Sequence, residues 1–394
     1  MKKKELIRAV TALFETHYHT EPQRMFLSPA RINIIGEHVD YNDGFVLPAA
    51  INKYVCFAVS EHHGDQCTLF AGDLNDTLLF SIDDPVVPSD KTWANYLLGV
   101  LAQCKERGLP VRGFKLAFAS NIPMGAGLSS SAALECGFAY ALNELFDLGL
   151  TQQEIALMGQ RSEHTFVGVN CGIMDQFASV FGKKNHAIRL DCTSLDYDYH
   201  TADFGDYTLL LLDSKVKHSH LTSGYNVRRQ QVEAGFAVLK QRYPGITTFR
   251  DLTIEQVEAA QDALDEVIYR RCRFVVNEIR RVREAVDALD QSDFVRLGAL
   301  MNATHDGLSN DYEVSCDELD FLVEAIRAEE GVLGARMMGG GFGGCSINLV
   351  RKEKQNELIR RLSTAYKEKF GVALEAYKVK IADGTMACKT PKIA

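Results

Sequence analysis

Apolar residues alternate in short runs through the first half of the chain. "RINII" from Arg31, "FVLPAAI" from Phe45, "YVCFAVS" from Tyr54, "CTLFAG" from Cys67 and "GFKLAFAS" from Gly113 each predict a strand. Ahead of them, "MKKKELIRAVTALF" sets Leu6, Val10, Leu13 and Phe14 at helical spacing, so it predicts an amphipathic helix rather than a secretory leader. Helical patterns follow at 131–146 and 152–166, and strands return at "HAIRLDC" and "YTLLLLD". Beyond about residue 220 the period lengthens to that of charged amphipathic helices, over 225–242, 254–289, 292–304 and 317–329. "ARMMGGGFGGCSINLV" then reads as strand, glycine loop, strand, before a helix at 353–370 and a last strand in "LEAYKVKIA". Strands and helices mix without regular βαβ alternation, which predicts an α+β protein. At roughly 100–200 residues per domain, 394 residues suggest two units, 1–205 and 206–394, with a soft boundary near 205.

Composition adds exclusions. Charged residues make up 24% and hydrophobic ones 46%, as in ordinary soluble proteins. The formal net charge of −9 argues against a nucleic-acid surface, which needs a basic stripe, but leaves room for small anions in a local pocket. No run reaches the ~20 apolar residues of a membrane span. Ten scattered cysteines with no C-x-x-C pair read as reduced thiols of a cytoplasmic protein.

Four stretches carry candidate chemistry. In "RINIIGEHVDYNDGF" an apolar strand ends in a crowd of hydrogen-bonding groups, Glu37, His38 and Asp40 among them. In "NIPMGAGLSSSAALE", Gly125 and Gly127 and the serines Ser129 to Ser131 lie between a strand and a helix. Glycines admit a ligand to the backbone, and amides at a helix start attract phosphate. No Lys is present, so this is not the usual P-loop, and a plain Ser N-cap is the competing reading. In "MMGGGFGGC", Gly339, Gly341 and Gly344 satisfy G-x-G-x-x-G, but a strand follows where a dinucleotide fold has a helix. That leaves a tight turn, or close approach to a ligand or to the first glycine loop. In "NCGIMDQFASVFG", Asp175 is either the N-cap of a short helix or a partly buried functional carboxylate. Glu163, just upstream in a helical pattern, reads by itself as a solvated helix residue. Trp93, the one tryptophan, suits a nucleotide-base pocket or the core equally.

Taken in order, these stretches resemble the GHMP family of small-molecule kinases, over about residues 20 to 380. "ARINIIGEHVDY" is similar to the sugar signature of its galactose-phosphorylating branch, "PMGAGLSSSA" to the ATP motif, "CGIMDQ" (Cys171 to Gln176) to the sugar-side motif, and "GGGFGGC" to the third motif. The resemblance implies a ribosomal-protein-S5-like N-terminal domain, a ferredoxin-like C-terminal sandwich and an active site between them. It implies ATP-dependent phosphorylation of the anomeric hydroxyl of α-D-galactose. Asp175 would be the base or orienting group, with Arg31 stabilising its charge and that of the transferring phosphoryl group. Glu37, His38, Val39, Asp40, Gly172, Asp175 and Tyr225 would meet the sugar. Gly125, Ala126, Gly127, Leu128, Ser129, Ser130 and Ser131 would hold ATP, and Ser131 and Glu163 would ligate Mg²⁺, which reverses the solvated reading of Glu163. The partners implied are small molecules alone, with no nucleic acid and no membrane, and the chain is expected to be a monomer. Two positions depart from the pattern: Ala30 stands where Gly is usual, and Val39 where Thr is common. The rival readings are another kinase of the family, acting on N-acetylgalactosamine, mevalonate or homoserine, and a non-catalytic sensor on the same scaffold.

Overall fold

The computed structural model describes residues 1–216 and 221–391. The alternating runs of the first half build a six-stranded sheet in the order Met386–Cys388, Arg24–Asn33, Pro48–Glu61, Phe114–Ser120, Gln66–Ala71, Asp76–Ser81. Neighbours are antiparallel except Gln66–Ala71 and Phe114–Ser120. A parallel pair needs a crossover, and helix Thr92–Glu106 lies on that connection. The period-2 pattern sorts the faces of strand Arg24–Asn33. Met25 and Leu27 pack with Leu6, Val10 and Phe14 of the N-terminal helix Lys3–Tyr18, while Phe26 and Ile32 join the main core. Leu6, Val10 and Phe14 are fully buried, each contributing roughly 1.5–3 kcal/mol.

The second half forms an antiparallel sheet in the order Val332–Met337, Cys345–Arg351, Tyr207–Asp213, Glu375–Lys378. Its central strand explains the unbroken "YTLLLLD". Leu209 and Leu211 enter the main core, and Leu210 and Leu212 enter a second core with Leu322, Ile326, Leu358 and Tyr366. A strand covered on both faces needs no polar alternation. A small sheet of Phe45–Val46, His186–Asp191 and Tyr197–Thr201 completes the strands. The last strand, Met386–Cys388, crosses back to the first sheet.

The α+β class holds, and several elements differ in extent from their predicted ranges. The helix predicted over 254–289 is two, Ile254–Glu258 and Glu266–Asp290, because Asp265 caps the second by accepting from the Val267 amide (2.9 Å). The helix predicted over 152–166 ends at Ser162 and continues as a π turn, Glu163–Val167. The strand Asp76–Ser81 has no sequence signal because it is an edge strand, half-buried along most of its length, with no clean alternation. No helix among the described residues is long and apolar enough to cross a membrane.

Candidate active site

Strand Arg24–Asn33 runs along one wall of a cavity of about 580 Å³. Its pairing with Pro48–Glu61 slips beyond Pro29, from Pro29 opposite Tyr54 to Arg31 opposite Ala50. Ala30, at this slip, is extended and fully buried rather than at positive φ, so its methyl meets no backbone strain. The chain then turns at Gly36, where φ is +104° and an added Cβ would lie 2.9 Å from Val282 Cγ2. Only glycine fits that turn. Glu278, on helix Glu266–Asp290, holds it by accepting from the Gly36 amide (2.9 Å).

The two glycine loops lie against each other. A Cβ on Gly339 would sit 3.2 Å from Gly127 O, and one on Gly344 3.3 Å from Ala126 C. Gly339, Gly341, Gly343 and Gly344 all have positive φ, as do Gly125 and Gly127. Ser129 is the N-cap of helix Ser130–Phe146, yet it sits in the left-handed region and makes no side-chain cap. Its hydroxyl donates to Asp175 Oδ2 instead. The first amides of the helix therefore stay open at the cavity, the arrangement that binds anions.

Asp175 lies in the first turn of helix Met174–Phe181, two residues past its N-cap position at Ile173, so it is no cap. Arg31 grips it with a fork: Nε donates to Oδ1 (2.7 Å) and Nη2 to Oδ2 (2.9 Å). The third nitrogen, Nη1, donates to Gly127 O (2.7 Å), so one buried guanidinium ties the carboxylate to the first glycine loop. Burial works against the Arg31 charge, but Asp175 and Glu37 outweigh it and the pKa is raised.

The other carboxylates crowd the same cavity. Asp40 is pushed up to about 7 by burial and by Asp175 and Glu37. Its carboxylate packs over Gly172, where a Cβ would fall 2.1 Å from Asp40 Oδ2. Glu163 is 6% exposed, which overturns its reading as a solvated residue; the π turn that begins with it departs from the helical period. Burial pushes its pKa up to about 7, Asp175 adds to the shift, and the Ser131 hydroxyl opposes it with a hydrogen bond. Glu135, in helix Ser130–Phe146 and not on the cavity wall, is fully buried; burial, and then Glu163, hold its pKa well above the ordinary value, opposed by Gln176. Hard oxygens with excess negative charge beside an anion site are of the chemical type that suits Mg²⁺, and Ser131 and Glu163 both line the cavity; no group of three or more potential metal ligands occurs among the described residues.

Residues 12–61 match the family "Galactokinase galactose-binding signature", 95–183 match "GHMP kinases N terminal domain" and 285–368 match "GHMP kinases C terminal". A galactokinase of Thermotoga petrophila is 42% identical over 357 residues, covering 91% of this chain and 98% of that one. The chain belongs to the galactokinase family. A galactokinase of Roseiflexus sp. (strain RS-1) is 40% identical over 371 residues, 94% of either chain. The crystal structure of Lactococcus lactis galactokinase complexed with galactose superposes with a TM-score of 0.92 at 34% identity, covering 96% of this chain and 99% of that one.

Among the residues expected from galactokinase family motifs, Arg31, Glu37, His38, Asp40, Gly125 to Ser131, Glu163, Gly172, Asp175 and Tyr225 all line the cavity. Val39 does not. Its side chain is fully buried in the main core, packed so closely on Gly44 that a Cβ there would be 2.7 Å from Val39 Cβ. The Val39 side chain therefore packs in the core rather than on the cavity wall. Trp93 is also off the cavity wall, with its indole nitrogen donating to Asp76 Oδ2 (2.8 Å) and its ring against Phe118. Sequence reasoning missed Arg336. It is completely buried, donating to Ile34 O (2.9 Å), Met337 O (2.6 Å) and Glu37 Oε1 (3.1 Å). Glu37 also accepts from the Gly339 amide (2.8 Å), so the pair links the opening stretch to the second glycine loop.

Proposed function

We propose that the chain transfers the γ-phosphoryl group of ATP to the anomeric hydroxyl of α-D-galactose, giving galactose 1-phosphate and ADP. The observation that carries this is the Arg31–Asp175 fork, set between an open helix N-terminus and the polar end of the opening strand. Phosphoryl transfer asks for positioning and charge neutralisation more than for covalent chemistry. Backbone amides at Gly125 to Ser131 hold the phosphates, with the loop kept in shape by its positive-φ glycines. Asp175 accepts the hydroxyl proton as the new O–P bond forms and the bond to ADP breaks. In a loose transition state that transfer is late, so Asp175 acts first by orienting the hydroxyl. Arg31 places fixed positive charge beside the transferring group. Ser131 and Glu163 would hold Mg²⁺, which would supply further neutralisation of phosphate charge. Glu37, Asp40 and His38 meet the ring hydroxyls, and Tyr225, whose ring lies over Gly340 and beside His38, closes the pocket.

The same proposal divides the chain into units 1–205 and 206–394 around the site. It takes the protein as a cytoplasmic monomer acting on small molecules alone; the free cysteines support that setting. An ADP-release assay over galactose, N-acetylgalactosamine, mevalonate, homoserine and a set of hexoses tests the reading. Turnover should need ATP and Mg²⁺ and favour galactose. Preference for another acceptor, or none for any, would refute it.

A further inference from the structure

Behind the sugar side of the cavity, a chain of polar atoms leads into the core. His38 Nδ1 lies 2.7 Å from the Tyr41 hydroxyl, which lies 2.9 Å from the hydroxyl of Tyr312. Tyr312 comes from the other half of the sequence and is completely buried; among the described residues, Tyr41 is the partner of its hydroxyl. Its backbone is pinned by Arg228, whose Nε donates to Tyr312 O (2.8 Å) and whose Nη2 donates to Glu313 O (2.7 Å). At the other end, His38 lines the cavity and is 4% exposed, and its Nε2 has no hydrogen-bond partner among the described residues.

Counting hydrogens gives the chain a direction. Burial, and then Arg228, push His38 down to about 3 against an opposing backbone interaction at Gly340, so the ring is neutral and carries a single N–H. If Nδ1 held that hydrogen, it would donate to Tyr41 and Tyr41 to Tyr312. The Tyr312 hydrogen would then point into the core with no acceptor among the described residues. In the opposite direction, Tyr312 donates to Tyr41, Tyr41 donates to Nδ1, and each hydroxyl hydrogen is used. Stranding a buried donor disfavours the first arrangement by roughly fivefold to a hundredfold.

We propose that Tyr41 and Tyr312 are positioning residues that hold His38 as the Nε2–H tautomer, so that His38 offers the sugar a hydrogen-bond donor. The proposal rests on the galactose reading above for the identity of the ligand. It gives the pocket a division of labour. Glu37, Asp40 and Asp175 are acceptors when ionised, and His38 is the complementary donor. A sugar hydroxyl that donates to a carboxylate still has lone pairs, and an Nε2–H beside it fixes where that oxygen must be. An epimer with the hydroxyl elsewhere leaves a buried donor and a buried acceptor unpaired. The chain also accounts for two tyrosine hydroxyls meeting deep behind a sugar pocket.

The test is ring-¹⁵N histidine NMR of the full-length protein, with the His38 signal assigned by its loss in His38→Gln. The wild type should carry its proton on Nε2. Tyr312→Phe, or Tyr41→Phe if the first variant folds poorly, should release the tautomer to a mixture. Either should raise KM for galactose about threefold to tenfold while leaving KM for ATP in place. A purely structural role would move melting temperature and both KM values together and leave the tautomer alone. Finding Nδ1–H in the wild type, or an unchanged galactose KM in both variants, overturns the proposal. If the protein phosphorylates no sugar, the functional reading fails, and the NMR still decides the tautomer.

Discussion

Arg336→Met asks whether the site is held together by one buried ion pair. The arginine is fully buried, and its partner Glu37 is 1% exposed. Methionine keeps most of the stem's packing and removes the charge and every donor. Glu37 would keep the Gly339 amide and Asn33 Nδ2 but lose its counter-charge. The carbonyls of Ile34 and Met337 would lose a donor as well. Breaking a buried pair from one side destabilises by about 3–5 kcal/mol, against a total stability of roughly 5–15 kcal/mol. At about 2–4 °C per kcal/mol, the melting temperature should fall by roughly 6–20 °C. Scanning calorimetry with and without galactose reads the shift. Galactose should recover part of it, because Glu37 is one of its proposed contacts. Glu37→Gln placed on Arg336→Met should restore part of the loss, since a neutral amide needs no counter-charge. A single variant melting within about 2 °C of the wild type would refute the argument, because no buried carboxylate should tolerate that loss so cheaply.

Three further outcomes follow from the same geometry. Asp175→Asn should stay folded with a lowered melting temperature, since Arg31 loses its counter-charge but keeps Gly127 O as a partner, and kcat should fall by about 10²–10⁴ with KM for ATP little changed; near-wild-type turnover removes Asp175 from the chemistry. Gly172→Ala should raise KM for galactose about tenfold without touching that for ATP, because the new methyl lands on Asp40 Oδ2, and an unchanged galactose KM would mean that Asp40 does not contact the sugar. Asp40→Asn should abolish efficient galactose turnover yet raise the melting temperature of the free protein, more at pH 8 than at pH 5. The sign follows from Asp40 being pushed up to about 7 in the fold, against an ordinary value near 3.9. Between those two pH values the folded state keeps a proton that the unfolded state has lost, so stability falls as pH rises through the interval. Asparagine has no such dependence, and an equal shift at both pH values sinks the assignment.

How much of this was legible follows from where each signal sits. The glycine loops were legible because their constraint is local: positive φ leaves its mark as glycine, whatever the rest of the chain does. Their contact with each other was one of several open readings, since spacing alone does not choose among them. Arg31 and Asp175 were legible as a pair only through family resemblance, because nothing in the intervening sequence says that they meet. Glu163 was misread by residue physics for a specific reason. Helical periodicity assumes 3.6 residues per turn, and the chain enters a π turn at that residue. Arg336 carried a signal that went unused. It is an arginine in an otherwise apolar strand, and a charge buried there must be paired. Its partners, Ile34 O and Glu37, are about three hundred positions away in sequence.

Those missed or borrowed contacts share a property. Arg336 to Glu37 and Tyr312 to Tyr41 both join the second half of the chain to the stretch that begins at Arg31. Each leaves an unpaired buried polar group if its partner is absent. The polar crowd after "RINII" is therefore costly in either half alone and satisfied when the halves meet. Docking the second half onto the first and shaping the sugar pocket are, in energetic terms, the same event. A variant that loosens that seam should accordingly weaken galactose binding even where it touches no residue of the cavity wall.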